Sequence, residues 1–340
     1  MRPVQSILTP LGWLYGLGAS LRRRAYARGV LGTERLRSPV ISVGGLSLGG
    51  SMKTPVVQEL ARAMMARGQS VGILGHGYRG VKTDPCLVSD GTQLLETAAS
   101  AGDETFLLAR GLRGCPVAAG RDKVAAGRLL EERFGKRIIL VDSGFQHLRL
   151  FRDLDIVCVT ERDLADRVVP AGLLRESPRA LGRADLVLTD RRSEGPRIGA
   201  LRAQRPGDVF SLVRTDFAFS PVEAPDNRVE PPAQAYAFCG LGWPERFVKD
   251  LSARGSSVVG HRFFRDHHPY STRDLREVAE AAARSGAGAV VTTGKDAVRI
   301  QGWPGPLPLL VLTARLEIER LPEILKRMDR VVLVRIKAGH

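Results

Sequence analysis

Short apolar runs alternate with helical patterns between residues 39 and 190. The runs PVISVGG, SVGILG, RIILVDSG, DLDIVCVT and ADLVLTD are typical of short buried strands, and TPVVQELARAMMARG, with apolar residues three or four positions apart, predicts a helix. Buried apolar strands of this length occur in parallel sheets whose two faces are covered by helices. Because parallel strands need crossover connections, the alternation predicts a doubly wound α/β domain.

The pattern changes around residues 206–232. VFSLVRTDFAF predicts an extended segment, and the proline-rich, polar SPVEAPDNRVEPP after it indicates a linker. Strand and helix patterns then alternate again as far as the helix pattern LPEILKRM. The final apolar run, VVLVRI at 331–336, predicts a last strand.

A glycine-rich turn follows the first predicted strand, in VGGLSLGGSMKTPVV at 43–57. Strand, glycine-rich turn, Lys-Thr and helix form the order that a phosphate-binding loop requires, because backbone N–H groups of the turn and the helix N-terminus face the phosphates. Lys53 would neutralise phosphate charge and Thr54 would hold Mg²⁺. The spacing GxxxxGK[ST] is not met, since Ser47 and Met52 stand at its glycine positions. A purely structural glycine turn is therefore the alternative.

Two carboxylates and a histidine are the other candidates for chemistry. Asp142 ends the apolar strand RIILVD, the place where nucleotide hydrolases and kinases hold the Mg²⁺ shell. Asp103 opens a helix in Gly-Asp-Glu, where it is either a helix cap or a general base that accepts a hydroxyl proton. His267 lies in Asp-His-His at 266–268, between a strand and a helix, and is either a surface-loop residue or a partner in proton transfer.

The chain has a formal net charge of +15, from 51 Lys and Arg against 36 Asp and Glu. This balance suits anionic partners such as a nucleotide or an acidic membrane face, although an Arg-rich solvated surface also accounts for it. The sequence has neither aromatic-interleaved basic patches nor a nucleic-acid recognition motif. We therefore exclude nucleic acid as a partner.

The N-terminal stretch ILTPLGWLYGLGASLRRRAYARG places Trp13 and Tyr15 near the arginines at 22–24. Its apolar part is broken by glycines and is too short to span a bilayer, and the arginines follow it, whereas a signal peptide has them first. Aromatic rings at headgroup depth and guanidinium groups on lipid phosphates suit a membrane interface. An amphipathic helix packed on the protein's own surface is the alternative.

These observations predict two α/β domains, the first a P-loop NTPase-like doubly wound parallel sheet and the second a smaller Rossmann-like unit. The predicted limits are 1–30 for an N-terminal membrane-associated helix, 31–207 for the P-loop domain, 208–232 for a linker and 233–340 for the C-terminal α/β domain.

In this order the motifs resemble a known family, the tetraacyldisaccharide 4′-kinases, which are the lipid A 4′-kinases of Gram-negative bacteria. The resemblance covers nearly the whole chain and includes PLGWLYGLGASLRRRAY, VGGLSLGGSMKTP, GHGYRG, GDET, VDSGFQHLRL, LLRESPRAL, CGLGWPERF, FRDHHPY and TTGKDAVR. It implies an enzyme that uses ATP and Mg²⁺ to phosphorylate the 4′-hydroxyl of a lipid A precursor, tetraacyldisaccharide 1-phosphate. It also implies peripheral or monotopic attachment, through residues 1–30, to the cytoplasmic face of the inner membrane.

The resemblance also implies roles for individual residues. Asp142 matches the first acid of the family's Asp-Asp-Gly and, with Thr54, would be a metal ligand as well as a catalytic residue. Asp103 matches the acid of Gly-Asp-Glu-Pro, proposed as the catalytic base, and His267 matches the histidine of the Asp-His motif, a partner to that base. The nucleotide-binding residues would be Ser47, Leu48, Gly49, Gly50, Ser51, Met52, Lys53 and Thr54.

Four departures from the family pattern lie in these motifs. Met52 replaces the glycine before the lysine, and Ser143 replaces the second acid of Asp-Asp-Gly. Gly75-His76-Gly77-Tyr78 stands where the family has Ser-Arg-Gly-Tyr, and Thr105 replaces the proline after Gly-Asp-Glu. They indicate either a retuned site or a catalytically weakened paralogue. The alternative hypothesis, supported by Met52 and Ser143, is therefore a weakened paralogue that acts as a membrane-surface module binding lipid or nucleotide.

Overall fold

The structure, a computed structural model, describes residues 2–48, 52–77, 80–82, 84–266 and 268–337, with the backbone alone for 2–9 and 336. Within these ranges the strands are β1 (Val40–Gly45), β2 (Val71–Gly75), β3 (Cys86–Ser89), β4 (Val117–Ala119), β5 (Ile138–Asp142), β6 (Leu154–Val159), β7 (Leu186–Asp190), β8 (Val209–Pro221), β9 (Gln234–Cys239), β10 (Ser257–Phe263), β11 (Ala289–Thr293) and β12 (Leu309–Ile318).

The α-helices in the same ranges are α1 (Arg2–Ala27), α2 (Lys53–Ala66), α3 (Ala98–Ala101), α4 (Asp103–Gly111), α5 (Lys123–Phe134), α6 (Glu161–Ala165), α7 (Pro196–Gln204), α8 (Pro244–Ser252), α9 (Thr272–Arg284), α10 (Gly294–Ala297) and α11 (Leu321–Lys337). Short 3₁₀ helices cover Pro178–Arg183 and Arg191–Ser193. The chain divides into two compact units, 1–213 with 316–340, and 214–315.

The first unit contains a sheet with the strand order β8-β7-β6-β1-β5-β2-β4-β3. Every pair from β8 to β4 is parallel, and β3 runs antiparallel to β4 at the edge. Every residue of β1, β2, β5, β6 and β7 is buried. Because side chains alternate between the faces of a strand, such strands need apolar cover on both sides.

Helices supply this cover on the two faces of the sheet. Val56, Leu60 and Met64 of α2 pack in one apolar cluster with alternate residues of β1. Val124 and Leu130 of α5 pack in another cluster, which contains residues of β1, β2 and β5. The predicted doubly wound α/β architecture is confirmed.

The second unit is a smaller parallel arrangement. Strands β9, β10, β11 and β12 pair in the order β10-β9-β11-β12, all in parallel register. Phe247 and Leu251 of α8 join one buried cluster of this unit, and Leu275 and Val278 of α9 join another. This is the predicted Rossmann-like unit.

Strands β8 and β12 each contribute residues to both units. The range 208–232, predicted as a linker, contains β8, whose residues up to Val213 group with the first unit and those from Arg214 with the second. Residues 316–340 group with the first unit. Compactness alone does not decide where a domain begins, so the limits given above stay a prediction.

The predicted last strand at 331–336 is wrong. These residues lie in helix α11, whose buried residues Ile324, Leu325, Met328 and Val332 are spaced three or four apart and pack on the first unit's core. The helical spacing continues through Asp329 and Arg330 without a glycine or proline, so it outweighs the strand preference of the β-branched run.

The N-terminal residues form a single long helix, α1, with Pro10 inside it. Large apolar side chains on this helix are exposed, among them Trp13 (76%) and Leu14 (66%). Over the part of the chain that the structure describes, none of the helices combines the length and the apolar character that a membrane span requires.

Candidate functional site

The carboxyl ends of β1, β2 and β5 lie side by side in the first unit's sheet, with Asp142 opposite Val43. The strand order reverses at β1, because the chain passes from β1 to β2 on one side and β6 lies on the other. Doubly wound proteins bind ligands in the crevice outside the carboxyl ends of the strands at such a reversal. The predicted phosphate loop begins directly after β1, at residues 46–48, and its first residues therefore lie at this position.

Met52 precedes helix α2 in the left-handed conformation, with φ 53° and ψ 22°. This is the conformation that makes glycine favourable before the lysine, and a residue with a Cβ adopts it at a cost of about 1–2 kcal/mol. The Met52 side chain is partly buried against the core cluster that includes α2. This packing offsets part of the backbone strain and keeps the flexible thioether against the protein core.

Lys53 and Thr54 form the first turn of α2, where the helix leaves N–H groups available to an anion. Thr54 Oγ1 donates a hydrogen bond to Asp142 Oδ2 at 2.8 Å. The two predicted metal ligands, which are 88 positions apart in the chain, are therefore in direct contact. A hydroxyl and a carboxylate are hard oxygen donors that fit Mg²⁺ when phosphates and water complete its shell.

Asp142 is 3% exposed, and burial raises the pKa of its carboxyl, with Glu104 adding to the rise. The hydrogen bond from Thr54 and the charges of Lys53 and Lys123 oppose this rise in pKa. Ser143 donates from Oγ to Asp142 Oδ1 at 3.2 Å and is itself left-handed, with φ 57°. A hydroxyl thus stands beside the carboxylate where the family pattern has a second acid.

Lys123, a residue that the sequence reasoning did not single out, is buried at the start of α5. Its ammonium donates to the carbonyl of Gly75 at the end of β2. Burial lowers the pKa of Lys123 to about 7, against a rise caused by the Asp142 carboxylate. The only sequence signal was a lysine directly after Asp122, which caps α5.

Two histidines lie near this lysine. The rings of His76 and His147 are 5.2 Å apart. Burial, followed by the charge of Lys123, lowers the pKa of His76 to about 4 and that of His147 to about 3. Both imidazoles are therefore neutral at neutral pH, and the site's positive charge comes from lysine and arginine side chains.

Two departures from the family pattern, Gly75 and Thr105, are in contact. A Cβ on Gly75 would lie 2.2 Å from Cγ2 of Thr105, and the N–H of Gly77 donates to Thr105 Oγ1 at 3.3 Å. The missing side chain at position 75 makes room for the threonine, so the two substitutions complement each other. Thr105 lies in the first turn of α4, two residues after Asp103.

The structure places some of the predicted site residues and leaves others undescribed. Ser47 is buried and bridges to Leu174, and Leu48 is exposed. Gly49, Gly50 and Ser51, with Tyr78 of the Gly-His-Gly-Tyr motif, lie outside the described residues, and so does His267. Asp103 is the first residue of α4, and its neighbour Glu104 interacts electrostatically with Asp142 and His76.

In the second unit, Asp296 of the TTGKDAVR motif is fully buried and organises the carboxyl ends of the strands. It accepts hydrogen bonds from the Tyr270 hydroxyl at 2.9 Å, the Gly240 N–H at 3.0 Å and the Thr293 hydroxyl at 2.6 Å, and Arg299 lies 3.4 Å from it. Asp296 therefore has a structural role in this unit.

A doubly wound parallel sheet, a turn and helix N-terminus carrying Lys-Thr, and a buried acid on the adjacent strand define the class of phosphate-loop nucleotide-binding proteins. Comparison with known proteins narrows the class. The family model described as LpxK, tetraacyldisaccharide-1-P 4′-kinase, matches residues 4–332. The chain belongs to this family.

Individual relatives agree with the family match. A tetraacyldisaccharide 4′-kinase from Geobacter metallireducens is 38% identical over 310 residues, covering 88% of this chain and 89% of the relative. One from Geobacter sulfurreducens is 40% identical over 295 residues, covering 84% of this chain and 82% of the relative. The crystal structure of LpxK from Aquifex aeolicus in complex with ATP is similar with a TM-score of 0.78 and 30% identity, over 97% of this chain and 99% of that one.

Proposed function

We propose that the chain transfers the γ-phosphoryl group of ATP to the 4′-hydroxyl of a tetraacyldisaccharide 1-phosphate, a step of lipid A biosynthesis. The observation that carries the proposal is the 2.8 Å contact between Thr54 and Asp142 beside the N-terminus of α2. Family membership supplies the acceptor, since the Geobacter relatives are named for this reaction.

Lys53 and the N–H groups at the start of α2 bind the phosphates of ATP in this proposal, together with the turn at 47–52. Thr54 and Asp142 would hold Mg²⁺, which neutralises charge on the β- and γ-phosphates when bound. The charges of the nearby Lys53 and Lys123 lower the pKa of Asp142 and so favour the ionised carboxyl that a cation needs. This supports Asp142 as a metal ligand.

Asp103 is the general base that accepts the proton of the 4′-hydroxyl, and His267 is its partner. Asp103 begins α4 two residues before Thr105, whose side chain lies against Gly75 at the end of β2, and this placement supports the assignment. If the two residues act in one proton transfer, their kinetic effects are non-additive. Rate losses of Asp103→Asn and His267→Gln that simply multiply in the double variant would exclude the pair.

Helix α1 attaches the protein to the membrane surface that carries the lipid substrate, on the cytoplasmic face of the bacterial inner membrane. Its exposed Trp13 and Leu14 and the exposed Arg22 and Arg24 support a peripheral or monotopic attachment. Apolar side chains would enter the interface, and guanidinium groups would contact lipid phosphates.

The test is ATP-dependent phosphorylation of tetraacyldisaccharide 1-phosphate by the purified full chain. We expect activity in the wild type and a loss of about 100-fold or more in Lys53→Ala and in Asp142→Asn. The first removes the cation that faces the phosphates, and the second removes the charged oxygen that would hold Mg²⁺. Lys249→Ala and Asp84→Asn, which make the same replacements at exposed positions, are the matched controls. A wild type that binds ATP without phosphorylating the lipid would instead favour the binding-module alternative.

A further inference from the structure

Residues 166–178, here called the bridging segment, hold the start of the glycine-rich turn. The N–H of Leu48 donates to the carbonyl of Leu173 at 2.9 Å, and the N–H of Arg175 donates to the carbonyl of Leu46 at 2.7 Å. Ser47, between these positions, forms an antiparallel bridge with Leu174. The backbone that enters the phosphate loop is therefore fixed by the bridging segment.

Glu176 extends this attachment to the end of β1. It is 6% exposed, and its Oε1 accepts from Gln146 Nε2 at 3.2 Å and from Arg183 at 3.0 Å. The same Gln146 amide donates to the carbonyl of Gly45, the last residue of β1, at 3.0 Å. One buried carboxylate thus connects the bridging segment with the strand that precedes the loop.

The opposite side of the bridging segment packs against helix α1. Arg23 donates from its guanidinium to Glu176 Oε2 at 2.6 Å. A Cβ on Gly12 would lie 3.1 Å from the carbonyl oxygen of Val168 and 3.4 Å from Cβ of Ala171, so the helix backbone approaches the segment closely. Burial raises the pKa of Glu176, but the hydrogen bonds and charges of Arg183 and Arg23 hold it below its ordinary value. The carboxylate is therefore charged when it meets Arg23.

We propose that Arg23 is a positioning residue for ATP binding, acting through Glu176 and the bridging segment on the loop at 46–48. The inference rests on the proposed function, in which that loop binds the phosphates of ATP and α1 binds the membrane surface. ATP binding at the loop and membrane binding of α1 both stabilise the same arrangement of the bridging segment. Membrane binding of α1 therefore strengthens ATP binding, and ATP strengthens membrane binding by the same factor.

The experiment measures the dissociation constant of a fluorescent ATP analogue for the full chain without lipid. We expect Arg23→Ala to weaken binding about fivefold or more. Arg28→Ala, which removes the same charge from an exposed position just after α1, leaves binding unchanged. In a Glu176→Gln background, Arg23→Ala adds little, because the ion pair is already lost. Arg23→Lys, which keeps the charge, recovers most of the affinity and covers the case in which the alanine variant folds poorly.

A second measurement distinguishes this positioning role of Arg23 from a purely structural one. The same dissociation constant is determined in the presence of phosphatidylglycerol vesicles. The vesicles tighten analogue binding by the wild type and not by Arg23→Ala. Equal affinities of wild type and Arg23→Ala, with and without vesicles, would overturn this inference alone. A wild type that binds no ATP analogue would overturn the proposed function and this inference with it.

Discussion

At the scale of single residues, the candidate site contains two strained backbone positions, one directly before Lys53 and one directly after Asp142. Met52 and Ser143 both have positive φ, at 53° and 57°. Glycine adopts this region without the steric cost that a Cβ brings, and Asp and Asn adopt it more readily than most other residues. The family pattern, Gly at one position and Asp at the other, suits the backbone as well as the chemistry.

The conformation of Met52 predicts an unusual order of stability for two substitutions. Met52→Gly loses the packing of the side chain and relieves the strain, whereas Met52→Ala loses the packing and keeps the strain. We expect the glycine variant to have the higher free energy of unfolding, by about 1 kcal/mol. Urea denaturation of both variants measures the difference. An alanine variant that is more stable than the glycine variant would contradict the left-handed assignment.

Ser143 predicts a shift in the Mg²⁺ requirement. Ser143→Asp adds a carboxylate next to Asp142, and a carboxylate holds Mg²⁺ more firmly than a hydroxyl does. We therefore expect half-maximal kinase activity at a lower Mg²⁺ concentration. Ser143→Gly is the matched control, since it relieves the backbone strain without adding charge. If both variants shift the Mg²⁺ titration equally, backbone strain and not ligand charge is responsible.

The histidine pair predicts a loss of stability in acid. Because the pKa of His147 is lowered to about 3 and that of His76 to about 4, the unfolded chain binds more protons than the folded one below the ordinary value of about 6.5. This stability is present above pH 6.5 and is lost as the pH falls towards 4. Between pH 7 and pH 5 the free energy of unfolding should therefore fall in both proteins. We expect this fall to be smaller in His147→Gln than in the wild type, by about 1 kcal/mol or more.

Urea denaturation at both pH values measures this effect, because carboxylates titrate alike in the two proteins. His261→Gln, which makes the same replacement at an exposed histidine of the second unit, is the control. Parallel pH dependence in wild type and His147→Gln would show that His147 does not resist protonation in the folded protein.

At the scale of elements, we expect the exposed apolar side chains of helix α1 to determine the membrane affinity of the chain. Replacing the exposed Trp13 and Leu14 by Gln removes apolar surface without disturbing the buried contact of Gly12. We expect the affinity for anionic vesicles, measured by flotation, to fall by about 30-fold or more, since each of the two large side chains contributes about 1 kcal/mol or more at the interface. The same change at Leu94 and Leu95, an exposed apolar pair outside α1, is the control. Equal flotation of both variants would contradict attachment through α1.

The elements show which parts of the fold a sequence can predict. Strands β5, β6 and β7 follow from the sequence, because a fully buried strand must be apolar at every position. Helix α11 was missed at its end, where Val331, Val332 and Val334 favour a strand locally while burial of Ile324 and Met328 sets a helical register. Local propensity and tertiary packing disagree there, and packing wins.

At the scale of the whole molecule, the residues found only in the structure are those whose partners are distant in sequence. Thr54 and Asp142 were predicted because Thr54 follows its strand and Asp142 ends its own, each in a recognisable motif. Arg23 and Glu176 are 153 positions apart, and no motif connects them. Lys123 likewise depends on a carbonyl 48 positions away. Such pairs arise from the folded arrangement of the first unit, which a single sequence does not display.

The central claim is that this molecule is a lipid 4′-kinase despite Met52 and Ser143. The most direct measurement incubates the full chain with ATP, Mg²⁺ and tetraacyldisaccharide 1-phosphate in mixed micelles and locates the new phosphate by ³¹P NMR and mass spectrometry. The account predicts one added phosphate per disaccharide, at the 4′ position, and none with Lys53→Ala. A product phosphorylated elsewhere, or an unchanged lipid in a reaction where ATP binding is demonstrated, would contradict it.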